Sequence, residues 1–297
     1  MPGSIVLKID VDTLRGTQEG APRLAQLLAR LELPATFLFS LGPDHTGRAL
    51  RRVFRRGFLQ KVRRTSVVSN YGLRTLLYGT LLPGPIISQR CRGEMRDIQR
   101  MRFEVGVHTH DHVEWQDKVA TASPEWTRDQ LQRAVQEFQD TFGTPPRVHG
   151  AAGWQMNAGV PGLQRELGFE YASDTRGTHP FQPVPDGVPQ LPTTLPTLDE
   201  LIGIDGARAA DAVGKLLALT RATPHVNQVF TLHAELEGGA YLPDFERLLL
   251  GWRADGHEFI TLGKAGERLP HAGLARGRIG AGTVPGRSGE LAVQLPA

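Results

Sequence analysis

Ile5-Val6-Leu7-Lys8-Ile9-Asp10-Val11-Asp12 reads as an apolar strand that ends on two carboxylates. Successive side chains of a strand point to opposite faces, so Asp10 and Asp12 share one side of the rim where the apolar run gives out. A second stretch has the same form: the strand Phe103 to Val107 runs into His108-Thr109-His110-Asp111-His112. His108 and His112 are four residues apart, and a helical turn begun there would stack both imidazoles on one face. His110 would project differently and is expected in a supporting or exposed position. One carboxylate and two imidazoles form a facial set that leaves coordination positions for water. The other carboxylate is then free to act as a base.

Working outward, further apolar runs at Ala35 to Phe39, Phe169 to Ala172, Val229 to Leu232 and Glu258 to Leu262 read as strands. They alternate with amphipathic stretches such as Arg23 to Leu31, where Leu24, Leu27, Leu28 and Leu31 recur at helical spacing. This alternation predicts an α/β fold of the βα-barrel kind, and 297 residues with 40% hydrophobic content suffice for one such core. Thr127 with Gln130 predicts a capping box opening a helix that Gly143 closes. Pro183 to Pro196 is expected as a proline-rich crossing loop. Residues 1–268 are expected as one catalytic domain. Residues 269–297 are expected as a flexible Gly/Pro/Arg-rich tail, because six glycines, two prolines and scattered arginines replace any periodicity from His271 onward.

Alone, an Asp-x-Asp is often a turn cap, and a His-x-x-x-His is as often surface or core. Their joint occurrence at strand ends is what points to chemistry, since α/β folds assemble their sites there. His233, just after the strand Val229 to Leu232, is a third candidate of this kind. Gly150-Ala151-Ala152-Gly153-Trp154 offers small residues beside an aromatic suited to stacking on a sugar, or to tight packing. Ser173-Asp174-Thr175-Arg176 supplies a carboxylate and a guanidinium, able to orient catalytic groups, hold a phosphate or form a plain surface pair.

Charge is unevenly distributed although the net value is only +3. From Arg48 to Arg64 there are eight basic residues and no acidic one, interleaved with apolar residues at roughly helical spacing. Leu73 to Ile87 follows with Arg74 as its one charge, and is too short and too broken by Pro83, Gly84 and Pro85 to span a bilayer, which needs about 20 apolar residues. Residues 48–90 are therefore expected as a membrane-facing insertion lying on an anionic surface, with Arg51, Arg52, Phe54, Arg55, Arg56 and Phe58 as its binding set. No nucleic acid partner is expected, since no aromatic platform or groove-reading motif accompanies the charge. The single cysteine, Cys91, excludes an intramolecular disulfide and a zinc ribbon, so metal chemistry falls to His and carboxylate. Met1-Pro2-Gly3-Ser4 passes straight into a strand, and no signal peptide is expected.

The order Asp-x-Asp, His-x-x-x-His, small-residue aromatic loop, Ser-Asp and Leu-His resembles the polysaccharide deacetylase family, with its NodB homology domain, from Ser4 to Leu262. The resemblance implies an irregular (β/α) barrel of the NodB type. It implies Asp10 as base, Asp12, His108 and His112 as ligands of a divalent metal, and His233 as acid. Zinc, manganese, cobalt and nickel all suit such ligands. Trp154, Asp174 and Arg176 are left as substrate-binding or orienting candidates. The strings Ile9 to Gly16, Phe39 to Arg48, Ala151 to Trp154, Pro192 to Pro196 and His233 to Gly238 are similar to a deformylase branch of the family. That similarity implies a formamido-arabinose carried on undecaprenyl phosphate as substrate, with formate released for lipid A modification and polymyxin resistance. It also implies a peripheral place on the cytoplasmic face of the bacterial inner membrane. The alternative is an N-deacetylase of another glycan, or a cyclic-amide hydrolase, using the same site. The arginine usual in the family's third motif is absent from the Ala151 to Trp154 loop, which makes Arg176 the candidate for restraining Asp10.

Overall fold

β1, Ser4–Val11, is buried at every position, and its two faces meet different cores. Ile5, Leu7, Ile9 and Val11 join the large cluster beneath the helices, whereas Val6 joins a smaller cluster with Leu38, Val148, Tyr171, Leu191, Val229 and Ile260. Alternation therefore aims Lys8 and Asp10 to the same side as Val6. The structure is a computed structural model that describes residues 2–49, 75–185, 187–270 and 273–297.

One edge of β1 pairs in parallel with β6 (Gln228–His233), placing Asp10 opposite His233. The other edge is shared by β2 (Thr36–Ser40), which takes Lys8 to Val11, and β7 (Glu258–Ile260), which takes Ser4 to Val6. β3 (Glu104–Thr109), β4 (Val148–His149) and β5 (Tyr171–Ala172) extend the order to β5-β4-β3-β2-β1-β6, with every pairing parallel. Parallel neighbours need crossovers, and helices Ala21–Arg30, Arg92–Arg100, Pro124–Phe142, Val160–Glu166 and Ala209–Ala222 supply them. The result is a curled parallel sheet of the α/β barrel class, with the C-terminal ends of β1, β3 and β6 at one rim.

The stretch expected as a crossing loop has a more definite task. Leu191 donates to the Ala172 carbonyl at 2.7 Å and Thr193 to that of Thr175 at 2.9 Å, while Thr194 and Leu195 both donate to the Val229 carbonyl. Residues 189–195 thus bridge β5 and β6, the two ends of the sheet. Prolines at 189, 192 and 196 keep this segment extended, and the threonines between them provide the donors that proline lacks.

Two expectations are corrected. The helix expected to open at Thr127 begins at Pro124, because Ser123 accepts from the Trp126 N–H and proline suits the first helical position. Gly143, at φ 76°, does close it. The expected tail contains an antiparallel hairpin, β8 (Gly277–Gly282) with β9 (Leu291–Pro296). β9 is held to the barrel on both sides of Arg176, whose N–H donates to the Ala292 carbonyl and whose carbonyl accepts from Gln294. The glycines that suggested a linker let these short strands pack closely. Among the described residues no helix is long and apolar enough to cross a membrane. Arg51, Arg52, Phe54, Arg55, Arg56 and Phe58, the expected membrane-binding set, lie outside the described residues.

Candidate active site

Asp12, His108 and His112 come together, with one potential ligand atom from each lying within 4.8 Å of the others. They do so by a different local geometry from the expected helical turn. His108 is in β3 at a register shift where Phe39 faces Val107 and Ser40 faces Thr109, so the histidine is the extra residue of a bulge. His112 is the first residue of the helix His112–Lys118, and Asp111 between them caps that helix by accepting from the Glu114 N–H. Asp111 is itself held by His45 at 2.5 Å. His110 is not in the metal-ligand group.

His108 Nδ1 donates to the Gly150 carbonyl at 2.6 Å, so a neutral His108 turns the lone pair of Nε2 toward Asp12 Oδ1 at 3.2 Å. His112 Nε2 lies 3.5 Å from the same oxygen. Two electron-rich atoms at that distance call for a cation or a proton between them, and among the described residues buried Asp12 Oδ1 has no hydrogen-bond partner. The donor set therefore fits a divalent metal ion. Burial works to raise the Asp12 carboxyl, yet the His112 and His108 imidazoles hold it far below the usual carboxylate range. The backbone beneath Asp12 is fixed by Glu235, whose Oε1 accepts from the N–H groups of Asp12 and Thr13 and from the Thr13 hydroxyl. Gly16 lets Glu235 approach, since a Cβ at Gly16 would lie 1.9 Å from that oxygen. Burial and the nearby Asp12 push the Glu235 carboxyl upward.

Asp10 stands beside this group, 3% exposed, and its Oδ2 accepts from Lys8 Nζ at 3.1 Å. Lys8 is two residues earlier on the same face of β1 and is fully buried. Asp10 Oδ1 is left without a hydrogen bond, aimed into the site 3.8 Å from His108. Lys8, not Arg176, is thus the cation that restrains Asp10. Arg176 is committed elsewhere, to Glu200 at 2.5 Å and the Leu195 carbonyl at 3.1 Å. Across the rim His233 completes the set as the last residue of β6. Burial lowers its pKa from the ordinary value, against the opposing pull of Asp199, Asp12 and Asp10. Its Nδ1 is buried without a hydrogen bond, 3.9 Å from Asp199 Oδ1.

Trp154 and Asp174 are placed as supports. Trp154 is 2% exposed and so presents no stacking platform to a sugar. Lys8, Arg176 and Arg287 each lie within 5.3 Å of its ring centre, and its indole N–H donates to Thr193. Its backbone, at φ 52°, is in the left-handed region that non-glycine residues rarely occupy. Asp174 is fully buried and accepts from the Ala151 N–H, Gln164 and Gln190, and lies 2.8 Å from His149 Nδ1, so it fixes the loop whose Gly150 carbonyl orients His108. Lys8, Asp199, Glu235 and Arg287 were not signalled by the sequence. A lysine inside an apolar run was the one available cue, for an unpaired lysine is almost never fully buried.

Comparison with known proteins gives a consistent result. The family model for polysaccharide deacetylase matches residues 2–172. A protein of Shewanella sediminis named "Probable 4-deoxy-4-formamido-L-arabinose-phosphoundecaprenol deformylase" is 35% identical over 86% of the chain and 83% of its own length. A Wigglesworthia glossinidia brevipalpis protein of the same name is 31% identical over 94% and 98%. Among solved structures, one assigned to the polysaccharide deacetylases from Mycobacterium smegmatis superposes with a TM-score of 0.67 at 18% identity, covering 95% of each chain. An allantoinase superposes at 0.61 with 14% identity over 89% of each. At those identities the structures speak for the fold alone.

Proposed function

This chain belongs to the polysaccharide deacetylase family, and from that premise we propose that it is a metal-dependent hydrolase acting on a linear amide C–N bond. Its substrate is 4-deoxy-4-formamido-L-arabinose-phosphoundecaprenol, and its products are the free amino-sugar lipid and formate, the step named for the two relatives above. The observation that carries the reading is the rim itself: a ligand group of Asp12, His108 and His112, with a buried carboxylate on one side and a buried imidazole opposite it in register. A divalent ion held by Asp12, His108 and His112 would supply Lewis-acid polarisation of the amide carbonyl and activation of water. His and carboxylate donors suit zinc, manganese, cobalt or nickel.

In this mechanism Asp10 Oδ1, which accepts no hydrogen bond from the described residues, takes the proton of the attacking water while Lys8 keeps Oδ2 engaged. His233 donates a proton to the departing nitrogen, because an amide anion is too poor a leaving group near neutral pH. The low exposure of both groups keeps bulk water from competing for these protons.

We place the enzyme peripherally on the cytoplasmic face of the bacterial inner membrane, against an anionic surface. The run of basic residues between Arg48 and Arg64 supports this, as does the described loop beside it. Leu81 is 81% exposed there, and Arg48 Nε donates to the Gly79 carbonyl. His45 of the same region bonds Asp111, next to the metal ligand His112. The deciding experiment measures formate from the formamido-arabinose lipid, or a short-chain analogue, using metal-loaded protein with and without chelator. Chelator-sensitive formate supports the reading, and a metal-loaded protein that releases none sinks it. Replacing Arg51, Arg52, Arg55 and Arg56 with Gln should reduce sedimentation with anionic liposomes without changing metal content. Unchanged sedimentation would remove the membrane role from this segment.

A further inference from the structure

We propose that Arg287, in the turn of the C-terminal hairpin, is a positioning residue for His233 that acts through Asp199. The inference rests on the hydrolase reading above, in which His233 protonates the departing amine. Asp199 lies in the short helix Leu198–Leu201 and is 5% exposed. Its Oδ1 faces His233 Nδ1 at 3.9 Å, and the same oxygen accepts from the Thr197 hydroxyl at 2.5 Å and from Arg287 Nη2 at 3.0 Å. Arg287 Nε meanwhile donates to Glu200 Oε1 at 2.8 Å, an oxygen that also accepts from Arg176. Two guanidiniums and two carboxylates thus form one largely buried cluster of no net formal charge against Trp154, and Arg287 grips the carboxylate nearest His233 through the same oxygen that faces the imidazole.

The hairpin is built to make this reach. Gly286 has φ +85°, and a Cβ there would lie 2.4 Å from the Glu200 carbonyl oxygen, so a side chain would push the turn off the helix carrying Asp199. The strand end beyond it is pinned where Gln155 donates to the Glu290 carbonyl at 2.7 Å. β9 then pairs with Arg176, whose side chain belongs to the same cluster. With Arg287 in place, the carboxylate keeps His233 Nδ1 protonated, which fixes the ring and directs Nε2 at the substrate, where the imidazolium form carries the proton it gives to the departing amine. Without Arg287, Asp199 Oδ1 keeps the Thr197 hydroxyl but loses this guanidinium, and the carboxylate is held less firmly toward His233.

The test uses full-length, metal-loaded protein and the variants Arg287→Gln and Arg287→Lys, with thermal unfolding as the folding control. In histidine-labelled ¹⁵N NMR spectra, the His233 signal, assigned by its loss in His233→Gln, should report protonated Nδ1 in the parent. Arg287→Gln should move it toward the other tautomer, and Arg287→Lys should move it back. An imidazole signal unchanged by Arg287→Gln overturns the proposal. On the formamido sugar, kcat should fall about 100-fold with KM within about 3-fold, whereas p-nitrophenyl formate, whose leaving group needs no proton, should lose no more than about 3-fold. Equal losses on amide and ester would reduce Arg287 to a structural role and also overturn the proposal. A parent that cleaves the ester but not the formamido sugar overturns the substrate assignment alone, and the NMR comparison still decides the role of Arg287.

Discussion

Lys8 and Glu237 are two buried ionisable groups that answer to different measurements. Lys8 is the cation at hydrogen-bond distance from Asp10 among the described residues. A hydrogen bond to a charged group contributes about 1.5–3 kcal/mol, so Lys8→Met should lower kcat/KM roughly 10- to 100-fold. Metal content, measured by elemental analysis, should stay unchanged, and a fully active variant would refute the role of Lys8. Glu237 is fully buried below His233, whose N–H it accepts at 2.9 Å, and burial, with Asp199 nearby, pushes its carboxyl from the ordinary 4.5 up to about 8. Between those values the unfolded chain has released a proton that the folded chain retains, so this group makes stability fall as pH rises. Glu237→Gln should flatten the decline of Tm with pH across that window, and an unaltered slope would show that Glu237 is not its source. At this scale the sequence was partly legible. Asp10, Asp12, His108, His112 and His233 were found because ligand types clustered at strand ends, whereas Arg287 sat in a stretch with no periodic pattern to mark it.

Short elements carry the geometry of the ligands. Asp111 caps the helix that starts at His112 and is held by His45, and the facing imidazoles of His108 and His112 have ring centres 5.3 Å apart. Asp111→Ala should release the first turn of that helix and weaken metal binding by about 10-fold or more, read by competition with a chelator. Unchanged affinity would mean that β3 and the helix body alone set the position of His112. Farther away, Ser123→Ala should cost about 1 kcal/mol in unfolding without touching metal affinity, because it removes only the cap of Pro124–Phe142. The pairing of His108 with His112 was legible from their spacing, but the bulge and the cap that create it were not. A bulge depends on the register of a neighbouring strand, and the sequence of β3 does not contain that register. The same holds for residues 189–195, whose partners lie on β5 and β6.

At the level of the whole molecule, the proposed metal ligands draw residue 12 together with residues 108 and 112, which would link ion binding to folding. Free metal at 100 times its Kd adds about 2.7 kcal/mol, and Tm should rise by several degrees. Chelator should reverse the rise and Asp12→Ala should abolish it; a metal-insensitive Tm in the parent would speak against the site. The α/β barrel was legible because apolar strands and amphipathic helices alternate along the chain, β1, β2 and β6 being buried on both faces. The hairpin was not, since half of β8 is glycine and both strands have mixed burial. Its position along the chain has a consequence for protein synthesis. The ribosome has delivered every proposed metal ligand by residue 112 and the proposed acid by residue 233, while the arginine that steadies that acid arrives at 287. Gly150, Asp174 and Glu235, which fix the ligands, also precede it, so a growing chain can complete its ion site before its proton donor is steadied, and reactivity is the last property the nascent protein acquires.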